Sequence, residues 1–240
     1  MIDHCHTILR HFPAAQLIFL VRDPRDVAAS SRRSIFSTYE PYFTAELWRR
    51  QQLTGLAWLD ELPPTTIHLL RYEDLLRAPE SQVERLCEFL GEPFEPAMLR
   101  YFETREAQRC ASLSRSWENT AIPILENNVR TYEQHLSGDE LLLVEAVARS
   151  PMLRLGYALE HDEATLSRAR VGALQRHWLR QREHFYKLRG ELRALREDKN
   201  VWRRWQRDVL VQYLRLRRGS SSPLRWLTDM SGAGVEHPSA

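Results

Sequence analysis

A chain of 240 residues with 43% hydrophobic content is long enough to bury one good core and carry an appendage. It has no apolar run near the ~18 residues that a membrane span needs, and its start, Met1-Ile-Asp-His-Cys-His6, lacks the basic and apolar regions of a secretory leader. The net charge of +2 hides a split that predicts two modules of different character: residues 1–159 carry 17 basic against 22 acidic side chains (−5), and residues 160–240 carry 17 against 10 (+7).

Cys5, Cys87 and Cys110 are too few and too scattered for a disulfide framework or a zinc knuckle, so no metal is expected and a reducing, cytoplasmic location fits best. Residues 2–11 read as a short helix. Leu17-Ile-Phe-Leu-Val21 lies between Pro13 and Asp23-Pro24, and a run apolar on both faces predicts a buried parallel strand. A helix follows at once, with Asp23 as N-cap, Pro24 at the first helical position and Asp26 in the first turn. Such a junction suits an anion, because a helix N-terminus offers free N–H groups and Arg22 stands at the strand's C-terminal edge.

A second helix is predicted over 45–61, ended by Pro63-Pro64, and a second strand over Thr66–Leu70. Pro79 opens a further helix closed by Gly91. Residues 103–135 read as irregular and polar, Ser137 starts a helix running toward Arg149, and Pro151–Tyr157 reads as a closing turn. Alternation of strands and helices predicts an α/β sheet.

Residues 162–217 hold no proline, and Leu174, Trp178, Phe185, Leu188, Leu192 and Leu195 form an apolar stripe among arginines. One long helix or a helical hairpin is expected, with a buried stripe and an exposed basic face. Self-association through this helix and peripheral contact with an anionic membrane stay open, whereas the interleaved Glu183, Glu191, Glu197 and Asp198 argue against nucleic acid. The expected organisation is an α/β domain over 1–159, a basic amphipathic helical extension over 160–218 and a disordered tail over 219–240.

Leu20-Val-Arg-Asp-Pro-Arg-Asp-Val-Ala-Ala-Ser30 resembles the 3′-phosphate signature of sulfotransferases that use 3′-phosphoadenosine 5′-phosphosulfate (PAPS). Leu69-Leu-Arg-Tyr-Glu-Asp-Leu75 with Ala78-Pro79 resembles that family's second block, and Asn128–Tyr132 through Leu155-Gly-Tyr157 is similar to the end of its bacterial domains. The resemblance implies a P-loop-like parallel sheet flanked by helices. It implies PAPS as co-substrate and Arg22, Ser30, Tyr72 and Arg130 on the donor nucleotide, with a small molecule, lipid or carbohydrate accepting the sulfonate at a hydroxyl or amine. Read alone, Tyr72 is equally a core residue and Arg130 equally a solvated one.

Sulfotransferases hold the 5′-phosphosulfate in a Gly- and Ser/Thr-containing loop, usually with a basic residue, ahead of this strand. Here no glycine precedes Gly55 and no lysine precedes Lys187, so the family's first strand and loop are expected upstream of Met1. Residues 1–240 alone are therefore expected to transfer sulfonate poorly, and robust turnover by the purified chain overturns that. A catalytically inactive nucleotide-binding or scaffold protein acting through the C-terminal helix is the alternative. The general base stays open, with His4 and His6 as candidates. Phe36, Tyr39, Tyr42 and Phe43 read either as the lining of an acceptor pocket or as core.

Overall fold

The computed structural model describes residues 2–32, 38–113, 115–125, 128–197 and 206–214. Two parallel strands, β1 (Leu17–Val21) and β2 (Ile67–Arg71), pair in the register Leu17 to Ile67 and Val21 to Arg71. The helix α1 (Cys5–His11) precedes β1, and α2 (Pro24–Ser31) and α3 (Pro41–Glu61) form the crossover to β2. After β2 come α4 (Tyr72–Arg77) and α5 (Pro79–Leu90), the latter stopped by Gly91 at φ 74°. The described residues are thus a mostly helical α/β arrangement around a small parallel sheet.

Side chains alternate across a strand, so β1 and β2 each present two faces. Phe19, Val21 and Ile67 point into the core with Trp48 and Leu56 of α3. The helix α8 (Gly138–Arg154) closes that core with Ala148 and Met152, followed by Leu155 and Tyr157. Ala28, Ala45 and Val144, all fully buried, let α2, α3 and α8 approach one another. The expectation that β1 is buried on both faces is not met, since Ile18 and Leu20 are 45% and 55% exposed. On that side α5 reaches β2 through the His68–Phe89 ring contact and Gln16 just ahead of β1 through the Phe89 carbonyl, leaving Ile18 and Leu20 exposed among the described residues.

Three further expectations are corrected. The stretch 103–135 is not irregular: it forms α6 (Arg105–Leu113), a 3₁₀ turn over Arg115–Ala121 and α7 (Tyr132–His135). Thr104 starts α6, its Oγ1 accepting from the Ala107 N–H at 3.2 Å. Second, α8 runs through Pro151 to Arg154, opened by a Ser137–Glu140 capping box and followed by Gly156 at φ 78°. Third, the C-terminal region, expected as one long helix or a hairpin, is α9 (Glu163–Arg168), α10 (Ala173–Glu197) and a helical segment over 206–214, with a break between α9 and α10.

The helix α10 also inverts the expected amphipathic packing. Leu179 is buried, but Leu174, Trp178, Phe185, Leu188 and Leu192 are all more than half exposed. Arg176, Arg182 and Glu183 face the body and pair with Glu46, Glu40 and the N–H groups of Tyr39 and Glu40. Tyr39 and Tyr42 belong to the core, whereas Phe43 lines an open groove along α3. Phe36, Trp202 and the tail from 219 lie outside the described residues.

Gly55 of α3 meets the sheet directly, because a Cβ at that position would overlap the ring of Phe19. Gly55→Ala is expected to cost about 1–3 kcal/mol of stability by overpacking this contact. Urea denaturation of the two chains measures it, and an alanine variant as stable as wild type would contradict the packing.

Candidate functional site

The junction between β1 and α2 is held from several sides. The Arg22 carbonyl accepts from Trp48 Nε1 at 3.0 Å. The Asp23 N–H donates to Glu73 Oε1 at 2.7 Å, and the other Glu73 oxygen accepts from the Tyr157 hydroxyl at 2.9 Å. One carboxylate on α4 thereby fixes the end of β1 to the stretch after α8. Desolvation, then the charge and hydrogen bond of Glu73, push the Tyr157 phenol far above its ordinary pKa and keep it a neutral donor.

Much of the first turn of α2 is already engaged. Pro24 has no N–H, the Arg25 N–H donates to the Asp23 carboxylate at 2.9 Å, and the Val27 N–H donates to the Asp23 carbonyl. Asp23 also chelates the Arg25 guanidinium. Arg25 continues to Glu145 of α8 at 2.7 Å and lies over the ring of Tyr132. Arg22, by contrast, is turned away from this inward-facing cluster and toward Tyr72.

The Arg22 guanidinium stacks over the Tyr72 ring, 4.6 Å from its centroid, and Nη2 donates to the Asn128 carbonyl at 3.0 Å. Asn128 Nδ2 donates back to the Tyr72 hydroxyl at 2.8 Å. Arg22 Nε is buried without a hydrogen-bond partner among the described residues. Beside this trio opens a cleft of about 310 Å³, lined by Tyr72, Asn128, Leu75, Val83, Met98 and Leu125 among others. Tyr72 sits there because β2 passes into α4 without a loop, which places the first residue of α4 next to the end of β1.

Ser30 is half-buried near the end of α2, and its hydroxyl has no hydrogen-bond partner among the described residues. Arg130 is anchored at its backbone and exposed at its side chain. Its backbone, at φ 55°, is tied to α2 by an N–H bond to Asp26 Oδ2 at 2.9 Å. Thr131 and the Tyr132 N–H use the other Asp26 oxygen. The Arg130 guanidinium, however, is exposed and pairs with Glu133 and Glu160. Arg22 and Tyr72 are therefore brought together directly, while Arg130 is tied through its backbone to Asp26 of α2. Asn128 is the member that the sequence reading passed over.

His6 packs edge-on against Trp58 and His4 is exposed, and neither contacts this cluster. Among the described residues no group of His, Cys, Asp and Glu is arranged to hold a metal ion, and no helix is long and apolar enough to cross a membrane.

The profile of the sulfotransferase family matches residues 1–96, which contain Arg22, Ser30 and Tyr72. Over those residues the chain is similar to the sulfotransferase family. It is 26% identical over 187 residues to carbohydrate sulfotransferase 1 of Rattus norvegicus, covering 67% of this chain and 43% of that one. It is 28% identical over 149 residues to an uncharacterized protein of Aquifex aeolicus (strain VF5), covering 56% of this chain and 18% of the other. The chain thus spans less than half the length of these curated relatives. Among solved structures it is similar to the sulfotransferase domain from the curacin biosynthetic pathway, with 24% identity, a TM-score of 0.48, and coverage of 64% of this chain and 59% of that one.

Glu145 underlies the geometry of the sulfotransferase motif. Burial alone would raise its pKa, but N–H bonds from Glu160 and His161, the His161 ring and the Arg25 charge outweigh burial and hold it below the ordinary value. Its contribution to stability is therefore complete above the unfolded carboxylate pKa of about 4.3 and is lost as pH falls through the lower folded value. Glu145→Ala is expected to lose about 3–5 kcal/mol, because Arg25 is left buried with only part of its charge compensated. In denaturation series from pH 7 downward the variant should show a smaller loss on acidification than wild type. Equal acid sensitivity of the two would count against the assignment.

Proposed function

We propose that this chain binds the 3′-phosphoadenosine end of PAPS and takes part in sulfonate transfer to a hydroxyl or amine acceptor. The observation that carries this reading is the Arg22 guanidinium, 4.6 Å over the Tyr72 ring beside an apolar cleft, its Nε without a partner among the described residues. A planar guanidinium matches phosphate oxygens in bidentate fashion, and an apolar cleft edged by a tyrosine and an asparagine amide suits a purine base. In the proposal Arg22 and Ser30 take the 3′-phosphate, and Tyr72 and Asn128 border the adenine. Arg130, with its backbone already anchored by Asp26, adds its charge by exchanging Glu133 for the phosphate.

PAPS supplies the sulfonate when bound. The acceptor oxygen or nitrogen forms a bond to sulfur while the bond from sulfur to the 5′-phosphate oxygen breaks. The acceptor proton leaves to a base, and adenosine 3′,5′-bisphosphate is released. Such a transfer depends mainly on positioning and on charges placed at the leaving group. The residues of this chain contribute by fixing the nucleotide's far end, so that the reacting end is held in one place.

Calorimetry with adenosine 3′,5′-bisphosphate tests the reading. Arg22→Ala is expected to weaken binding about 10–100-fold, as for loss of a charge-assisted hydrogen bond, and Ser30→Ala by less than about 10-fold. Arg130→Ala is expected to fall between them. Wild-type protein that does not bind the bisphosphate, or Arg22→Ala that binds as wild type, would sink the proposal.

A further inference from the structure

The face of α10 that the body leaves uncovered has its own regularity. Leu174, Trp178, Phe185, Leu188 and Leu192 are 56–83% exposed. With Gln181 they follow alternating steps of four and three residues, the spacing of a coiled-coil seam. Leu195 continues the spacing in sequence, and Val209 and Tyr213 fall whole heptads after Leu174 and Trp178, again about half exposed.

The opposite face has the same seven-residue period. Arg176 donates to Glu46 at 2.8 Å, and Glu183 accepts from the N–H groups of Tyr39 and Glu40 at 2.9 and 2.7 Å. At Gly190 the helix backbone lies so close to Tyr39 that a Cβ would overlap its ring. Contacts at 176, 183 and 190 thus clamp α10 to the body and turn its seam outward, exposed among the described residues.

The charges beside the seam select the partner. One flank carries Arg182, Arg189 and Arg196, and the other carries His177, His184 and Glu191. An antiparallel pair would set the arginine flank against itself. A parallel pair sets it against the histidine and glutamate flank, with Glu191 opposite Arg196 of the second chain. A helix lying on a membrane favours a wide apolar face in a strongly cationic setting, and this narrow stripe with a glutamate on one flank fits that less well.

We infer that α10 forms a parallel two-stranded coiled coil with α10 of a second copy of this chain. The sulfotransferase motif lies outside this surface, and the inference does not depend on nucleotide binding.

Sedimentation of the full chain over a wide concentration range tests it. Wild type is expected to sediment as a dimer, and Phe185→Glu with Leu188→Glu as a monomer with the thermal transition of its body retained. Leu188→Cys is expected to cross-link to itself on oxidation, whereas Lys187→Cys, off the seam, is not. A wild-type monomer at every concentration overturns the inference, as does a dimer that survives the double glutamate change. A dimer without the 188 cross-link overturns the parallel register. A wild-type monomer that binds phosphatidylserine vesicles would assign the stripe to a lipid surface instead.

Discussion

The buried ionic cluster around Arg25 is the constraint on which the rest is arranged. Its guanidinium is shared between Asp23, which caps its own helix, and Glu145 on α8, distant in sequence but in direct contact. Burying these charges is expensive, and it is sustained only because nearly every polar atom has a partner. Desolvation opposes the charge on Arg25, yet the hydrogen bond and charge of Asp23, with Tyr132 and Glu145, hold its pKa above the ordinary value. Glu145 then collects the N–H groups of Glu160 and His161 and so draws the chain back after α8. Asp26 does the same for residues 130–132.

This arrangement divides the labour among neighbouring residues of one motif. Asp23, Arg25 and Asp26 face inward and assemble three segments distant in sequence. Arg22, one residue earlier, is left to project from the strand end onto Tyr72. Its position is itself secured by Trp48 on its carbonyl and by Glu73 on the next N–H. The guanidinium is thereby oriented before any ligand arrives, which limits the ordering that a ligand would have to impose.

Much of this was legible in the residues. The run Leu17–Val21 with Asp23-Pro24 behind it located β1 and the start of α2, because strand, cap and proline signals agree there. The block around Tyr72 located the end of β2 to within one residue. Other features had no local signal. Asn128 lies in a loop without periodicity, and only the fold carries it to Arg22 and Tyr72. The family resemblance named Arg130 as a candidate, but the pairing of its side chain with Glu133 and Glu160 depends on where two separate segments meet. The apolar pattern of β1 promised cover on both faces, while the described elements cover one. The stripe on α10 was visible, but the clamp that turns it outward arises from Tyr39, Glu40 and Glu46, far away in sequence.

The backbone at Arg130 carries a further implication. A φ of 55° lies in the left-handed region, which disfavours a branched or long L-residue by about 1–2 kcal/mol and suits glycine. Asp26 holds the loop in that shape through the N–H groups of 130 and 132. Glycine would ease the chain at this point but would leave two carboxylates without their common cation. Position 130 therefore accepts conformational discomfort in return for charge, and substitutions there should divide by side-chain charge in one measurement and by backbone freedom in another.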